Sequence, residues 1–480
     1  MDLFKWIVTF LPYINLIFAL ILIFFERRNV STTLAWLMIF YFVPGFGFIL
    51  YLTFGQNLSR EKIFRLKKHE DKVLKEYLLE NEKLIKHNKS FNSDDMKYYE
   101  DLMRLNFNNG NSPLTEDNTV EIFADGKSKF DDLLMEIKNA KKFIHIGYYI
   151  IKNDDLGKKI INALVEKAKE GVEVRLLYDQ LGSRNLRKRH LKPLIDAGGK
   201  YAVFFPSLLY IINFRINYRN HRKIVVIDNK IGYVGGFNIG DEYLGKNKRF
   251  GYWRDTHIKI TGEAIVTLHL RFLLDWRYSS GENDVLIEKY LSSSVSKGDI
   301  GMQIVSSGPD TELEQIKYGY VKMVQDAKEC ILIQTPYLVL DDCIKESLKI
   351  AALSGVDVRI MIPNKPDHPF VYWASYHNAG ELIRAGAKIY TYEKGFLHAK
   401  TVVVDNKICS VGTANMDIRS FRLNFEVNAF IYDKKISMEL RDVFFADISD
   451  CNELTPEIYK ARSNLIKFKE SFSRLLSPIL

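Results

Sequence analysis

The chain reads as an α/β protein made of two pseudo-symmetric halves, each a mostly parallel β-sheet flanked by helices, preceded by an N-terminal transmembrane helical hairpin. Three observations predict this. Residues 220–238, NHRKIVVIDNKIGYVGGFN, return in altered form at 397–415, LHAKTVVVDNKICSVGTAN. Around both copies, short apolar runs alternate with helical patterns in the same order, at offsets near 177 to 188 residues, a domain's length rather than a solenoid period. Ahead of them lie two nearly uncharged segments, residues 6–25 and 32–54, each long enough to cross a hydrocarbon core as a helix.

Bulk properties agree. A chain of 480 residues with 47% hydrophobic and 26% charged residues holds two or three packed units. The net charge of +9 points to an anionic partner, either nucleic acid or an acidic lipid surface, and the apolar N-terminus favours lipid. Cys330, Cys343, Cys409 and Cys451 form no C-x-x-C pair and read as buried thiols in a reducing compartment.

Taken in order, the first two segments are separated only by the polar link at residues 26–31. No small-residue cleavage site follows the first, and a second apolar segment does, so a membrane hairpin is expected rather than a signal peptide. Pro12, Pro44, Gly45 and Gly47 can kink these helices or make one re-entrant. Arg27 and Arg28 lie between them, whereas Arg60, Lys62, Arg65, Lys67, Lys68, Lys72 and Lys75 come after the second. The larger cluster predicts that the rest of the chain stays cytoplasmic. Residues 59–115, rich in Lys, Glu and Asn, read as a charged helical connector on the surface.

From Thr119 the chain alternates strands (residues 120–123, 143–149 and 172–178) with helices (129–140 and 156–170), which is the β-α-β order of a parallel sheet. The second half repeats it: Ala140-Lys141 with Ile144 and Ile146 answers Ala327-Lys328 with Ile331 and Ile333, and GVEVRLL at Gly171 answers GVDVRIM at Gly355. The halves are placed at residues 116–291 and 292–454, joined through a polar stretch at 292–298. Residues 455–480 form a basic amphipathic helix starting at Thr455-Pro456-Glu457. Ile458, Ala461, Leu465, Phe468, Phe472, Leu475 and Ile479 recur along it at helical steps, largely separated by Lys460, Arg462, Lys467, Lys469 and Arg474. Such a helix either lies in an anionic lipid interface or packs against the domain.

Each copy of the repeated stretch reads His, any residue, Lys, four residues, Asp, then a downstream Gly and Asn. The β-branched runs 224–227 and 401–404 are buried strands, ended by the turn formers Asp228-Asn229 and Asp405-Asn406. His221 and Lys223, like His398 and Lys400, are two residues apart and share one strand face. Gly235, Gly236 and Gly412 lack side chains that would keep an anionic group from the backbone, and Asn238 and Asn415 carry amide donors. A His, a Lys and an Asn aimed at one point make a phosphate site containing a nucleophile. Pseudo-symmetry would bring the two motifs face to face as one site.

This double H-x-K-x4-D arrangement resembles the signature of the phospholipase D superfamily. The neighbouring words INYRNHRKIVVID, GFNIGDEY, IPNKPDHPFVYWAS, GFLHAKT and GTANMDIRSFRLNFE resemble bacterial cardiolipin synthases, and the resemblance covers essentially the whole chain. It implies a catalytic set of His221, Lys223, Asp228, His398, Lys400 and Asp405. His221 is the expected nucleophile, becoming a phosphohistidine, and His398 the acid and base, although the symmetry of the two motifs leaves the opposite assignment open. The lysines, with Asn238, Asn415, Gly236 and Gly412, would bind the phosphoryl group, so that neither metal nor other cofactor is needed. An acidic residue a few tens of positions after each motif histidine would orient an imidazole. Glu426 fits in the second half and Asp255 in the first, with Asp241 and Glu242 as alternatives. Asp228 and Asp405, at strand-to-turn junctions, read as structural members of the motif. Among other residues, His145, His257 and His377 read as core or surface, while Tyr148 and Tyr337 are candidates to line the cleft.

The implied reaction is phosphatidyl transfer: one phosphatidylglycerol gives its phosphatidyl group to histidine with loss of glycerol, and a second accepts it, giving cardiolipin. Water as acceptor would make the chain a phospholipase D-type hydrolase. A phosphodiester-cleaving nuclease is a third reading, but it has no use for two apolar spans. The implied partners are phosphatidylglycerol and anionic membrane lipids, with no nucleic acid. The implied place is the inner membrane, multi-pass, with the catalytic halves on the cytoplasmic side. No oligomeric state is implied.

Overall fold

A computed structural model describes residues 94–206, 218–282, 290, 298–311 and 313–476, together with 30–43 and single positions elsewhere among the first 51 residues. The chain divides into two units. One contains residues 1–66 and 207–218 with Ile479, and the other holds the rest. In the first unit a helix, Val30–Phe42, is described, with Trp36, Phe40 and Tyr51 buried together. Among the described residues no helix is long and apolar enough to cross a membrane. Most of the expected hairpin at 6–25 and 32–54 lies outside the described residues, as does most of the expected joint at 292–298.

In the second unit both halves contribute to one 16-stranded sheet. The expected β-α-β order holds in two outer triplets. Phe143–Tyr148, Glu173–Asp179 and Lys200–Phe204 pair in parallel, and so do Cys330–Gln334, Asp357–Pro363 and Lys388–Tyr392. The helices between them follow from the apolar spacing. In Asp155–Lys169, for example, Leu156, Ile160, Ile161, Leu164, Val165 and Ala168 are all buried on the sheet-facing side, and Asp154 caps the first turn by accepting from Gly157 N at 3.0 Å.

The inner strands are antiparallel, so the sheet as a whole is mixed. Each repeated motif forms a hairpin, Ile224–Ile227 with Ile231–Gly235 and Thr401–Val404 with Ile408–Gly412. Thr115–Phe123 and Ile300–Ser307 pair antiparallel and join the two halves edge to edge. Among the described residues of this unit three cores form: one under the outer helices of each half, and one on the opposite face of the sheet, running through both halves, where the helix Ala264–Ser280 and Leu440 and Phe444 of the helix Lys434–Ile448 pack.

The motif aspartates hold this framework. At each hairpin turn the Asp-Asn pair adopts left-handed backbone, with φ of 55° and 54° at Asp228 and Asn229 and of 52° and 55° at Asp405 and Asn406. Two successive residues with positive φ match the twist of a two-residue hairpin. The Asp228 carboxylate accepts from the backbone N–H groups of Lys141, Lys142 and Phe143, each at 2.8 Å. That of Asp405 accepts from Lys328, Glu329 and Cys330 at 2.8, 2.7 and 3.0 Å. Each aspartate therefore staples its hairpin to the start of the neighbouring parallel strand. Asp228→Ala is expected to destabilise the catalytic unit by roughly 2–4 kcal/mol, because three amides lose a charged acceptor. The lowered unfolding midpoint is measurable by thermal denaturation.

Two expectations need correction. Only Cys409 is fully buried, since Cys343 is exposed and Cys330 and Cys451 are intermediate; all four are free. The end of the connector is also not a surface element. Met96, Tyr99, Leu102 and Met103, on helices Asp94–Tyr98 and Glu100–Gly110 and the residue between them, pack into the core of the second half. The abundant Lys and Asn of that segment hid the short apolar stripe.

Candidate active site

The site is built by an exchange of chain between the halves. The two residues before the first motif histidine, Arg219–Asn220, leave their own half and pair in parallel with Asn424–Tyr432 of the second, placing Asn220 opposite Phe425. Reciprocally, Gly395–Leu397 pairs in parallel with Tyr252–Arg254, placing Leu397 opposite Arg254. Each motif histidine thus donates its backbone N–H across the divide, His221 to Phe425 O at 2.9 Å and His398 to Arg254 O at 2.7 Å.

The register carries the side chains with it. One residue beyond Phe425 is Glu426, whose oxygens lie 2.9 and 3.0 Å from His221 Nδ1. One residue beyond Arg254 is Asp255, whose Oδ2 lies 2.6 Å from His398 Nδ1. Both expected carboxylates therefore meet a histidine, but crosswise: each half's acid holds the other half's imidazole. Asp241 and Glu242 serve elsewhere, Asp241 accepting from Leu156 N at 3.2 Å and Glu242 pairing with Lys152. A carboxylate at Nδ1 fixes the ring's direction and its tautomer, with Nε2 as the free base. Among the described residues Nε2 of neither ring makes a hydrogen bond.

The charged groups share one field. Burial draws His221 below its ordinary pKa against the pull of Glu426, with Lys223 and Lys400 adding repulsion. Burial and the nearby Lys400 bring His398 down to about 4. Desolvation lowers Lys223 to about 7 and Lys400 to about 8, against the attraction of Glu426 and Asp255. Burial opposes ionisation of Glu426 too, but the His221 ring and Lys223 bring its carboxyl below the usual range. Each histidine also lies in the field of the lysine of the other motif, in keeping with the crossed strand pairs that bring the two motifs together. All four basic groups are thus held below their ordinary pKa, and an anion placed among them would raise their affinity for protons.

One expected outcome concerns acid stability. A group whose folded pKa of about 4 lies below its ordinary 6.5 refuses a proton that the unfolded chain accepts, so its contribution falls as pH drops through that window and levels off below it. His398→Asn should flatten the pH dependence of the unfolding midpoint between about pH 4 and 6.5, measured by thermal denaturation at three pH values.

Each motif lysine donates to the backbone carbonyl of its own histidine, Lys223 to His221 O at 2.6 Å and Lys400 to His398 O. Asn238 and Asn415 are buried. Asn238 donates to the Tyr243 hydroxyl at 3.0 Å and accepts from Ile150 N at 3.2 Å. Asn415 donates to Asp417 at 3.1 Å, leaving its Oδ1 without a partner among the described residues. The space left by Gly236 is taken by Asp255, because a Cβ there would sit 1.9 Å from Asp255 Oδ1; a Cβ on Gly412 would sit 2.3 Å from the Asn428 side chain. These glycines thus admit side chains of the chain itself. Tyr148 is in the core, accepting from Lys129 Nζ at 2.7 Å. Its neighbour Tyr149 is the residue at the site, 5.0 Å from the His221 ring. His257 is buried with neither ring nitrogen bonded among the described residues.

Sequence reasoning missed Trp253, 5.3 Å from the His398 ring, and Arg222. The Arg222 guanidinium binds Asp275 at 2.7 and 2.9 Å and reaches Ser307 O and Glu426 O at 3.0 and 3.1 Å. It thereby fixes the backbone that presents Glu426. The second motif has Ala399 at the matching position, so the repeat carried no signal for it.

The fold is of the phospholipase D-like class. Residues 133–259 and 320–448 each match the family described as "Cardiolipin synthase, PLD-like domain", and residues 7–56 match "Phospholipase_D-nuclease N-terminal". The solved structure of phosphatidylserine synthase from Haemophilus influenzae Rd KW20 shares the fold, with a TM-score of 0.62 and 17% identity, covering 79% of this chain and all of that one. Among curated proteins, the chain is 53% identical to a cardiolipin synthase of Staphylococcus aureus, over 97% of this chain and 95% of the relative. To that of Oceanobacillus iheyensis it is 51% identical, over 97% of each. The chain belongs to the cardiolipin synthase family.

Proposed function

We propose that the chain is a phosphatidyltransferase that makes cardiolipin from two molecules of phosphatidylglycerol. Membership of the cardiolipin synthase family supports the reaction, and the observation that carries the mechanism is the crossed pair of carboxylate-held imidazoles. Before substrate enters, burial disfavours the charged form of both rings. An entering phosphodiester brings negative charge between Lys223 and Lys400, which favours protonation of one imidazole and leaves the other as nucleophile. His221 Nε2 attacks phosphorus while protonated His398 gives its proton to the glycerol oxygen, so the P–O bond breaks and glycerol leaves. Neutral His398 then takes the proton from a headgroup hydroxyl of the second phosphatidylglycerol. That oxygen attacks phosphorus, the P–N bond breaks, and cardiolipin is released. Glu426 and Asp255 stabilise the imidazolium forms. Lys223, Lys400, Asn238 and Asn415 turn to the phosphoryl oxygens, while Asp228 and Asp405 serve the framework.

The apolar segments at 6–25 and 32–54 form the membrane anchor in this reading, supported by the N-terminal family match at 7–56. The basic run from Arg60 to Lys75 keeps the catalytic halves at the inner leaflet. The halves at 116–291 and 292–454 each contain one matched domain.

Incubating the detergent-solubilised full chain with labelled phosphatidylglycerol in chelator-treated buffer tests the proposal. Cardiolipin and glycerol are expected. Phosphatidic acid alone would mean that water is the acceptor, and no turnover without added metal would contradict the part given to the lysines.

A further inference from the structure

The C-terminal helix Asn464–Leu476 is inside out. Its buried positions are polar: Glu470 and Ser473 are each 1% exposed, and Glu470 is held by Arg462 at 2.8 and 2.9 Å and by the Tyr459 hydroxyl at 3.3 Å. Four of its large apolar side chains face outward, with Leu465 at 63%, Phe468 at 67%, Phe472 at 49% and Leu475 at 70% exposure, while Ile466 is half-buried on the inner side. At 100° per residue these four fall within one narrow stripe, roughly opposite Glu470. A helix whose only task was to pack on the domain would turn the stripe inward. This one turns its polar face to the domain instead.

The stripe is extended by a neighbouring element. Phe370, 49% exposed on the first turn of the helix Pro369–Arg384, has its ring 6.4 Å from that of Phe472, and Phe468 stacks on Phe472 at 6.3 Å. Between Thr455 and Leu476 there are five basic residues, Lys460, Arg462, Lys467, Lys469 and Arg474, against two acidic ones, Glu457 and Glu470. Arg462 and Glu470 neutralise each other, which leaves exposed cations beside the apolar stripe. The patch is connected along the chain to a residue that acts on the site. The helix carrying Phe370 begins just after Asp367, which accepts from the Tyr337 hydroxyl and whose charge acts on Lys400.

From these observations we propose that the outward face of helix Asn464–Leu476, together with Phe370, docks on an anionic lipid bilayer and holds the unit that carries His221 and His398 at headgroup level. Aromatic and aliphatic side chains would enter the boundary between headgroups and acyl chains, and Lys467 and Lys469 would meet lipid phosphates. This gives the catalytic unit a second hold on the membrane, separate from the N-terminal segments, and it rests on the reading of the chain as a lipid enzyme.

The test places a photoreactive benzoylphenylalanine at position 468 or 472 of the full chain, reconstituted in vesicles of phosphatidylglycerol and phosphatidylcholine. Exposed Leu353, on another helix, is the control position. Lipid adducts found by mass spectrometry should exceed the control about tenfold. An adduct to a second copy or to the chain's own N-terminal unit would overturn the proposal, as would no adduct above the control. Because crosslinking needs no turnover, this result is independent of whether the assigned reaction is correct. In addition, Phe468→Ser with Phe472→Ser should lower turnover of phosphatidylglycerol in vesicles about tenfold and change turnover of monomeric short-chain phosphatidylglycerol less than about twofold. Equal loss on both substrates, or loss on neither, contradicts it.

Discussion

Replacing His221 by alanine is expected to reduce cardiolipin formation on the order of 10⁴-fold or more, because the covalent route loses its attacking nitrogen. His398→Ala is expected to cost about 10²- to 10⁴-fold, the range for a positioned acid and base. The two variants should differ in what accumulates. With radiolabelled phosphatidylglycerol, the wild type and His398→Ala should carry an acid-labile phosphatidyl adduct on the protein, whereas His221→Ala should carry none. Adduct on His398→Ala but absent from His221→Ala fixes the order of the roles, and the reverse pattern exchanges them. Retention of more than about a tenth of wild-type turnover by both would remove the histidines from the mechanism.

The second large effect belongs to the carboxylates. Glu426 is fully buried against His221 Nδ1, with Asn424 Nδ2 3.2 Å from one of its oxygens. Glu426→Gln keeps the shape but presents an amide that cannot balance an imidazolium and can turn the ring to the wrong tautomer. A loss of about 10² to 10⁴ in kcat is expected, with KM changed little. Asp255→Asn should do the same to His398. Since the pairs are crossed, Glu426→Gln, a change in the second half, should slow adduct formation, the step assigned to the first half's histidine. Asp255→Asn should instead slow both proton transfers at His398. Single-turnover measurements separate these steps.

What was legible in the sequence was whatever repeats locally. The strand runs, the helices between them and the Asp-Asn turns all follow from short-range patterns, and the two copies vouch for each other. Glu426 and Asp255 were found as residues, but their partners were not, because pairing depends on two-residue strands that cross between halves. Nothing in the spacing of Arg219-Asn220 or Gly395-Phe396-Leu397 says which distant backbone they will join. The same limit hid Tyr149, whose neighbour Tyr148 sits at the strand end but points into the core. It also hid the antiparallel inner strands, since hairpins and β-α-β units leave equally apolar runs. The C-terminal helix shows the limit from the other side: its amphipathic pattern was plain, but only its placement revealed that the polar face turns inward.

The most direct measurement of the shared, crossed site is the rate at which His221 and His398 react with diethyl pyrocarbonate, read residue by residue by mass spectrometry in the wild type, Glu426→Gln and Asp255→Asn. Glu426→Gln should change the rate at His221 and leave His398 as it was, and Asp255→Asn should do the opposite. If each substitution instead alters the histidine of its own half, the halves do not exchange their carboxylates and the account of the site is wrong.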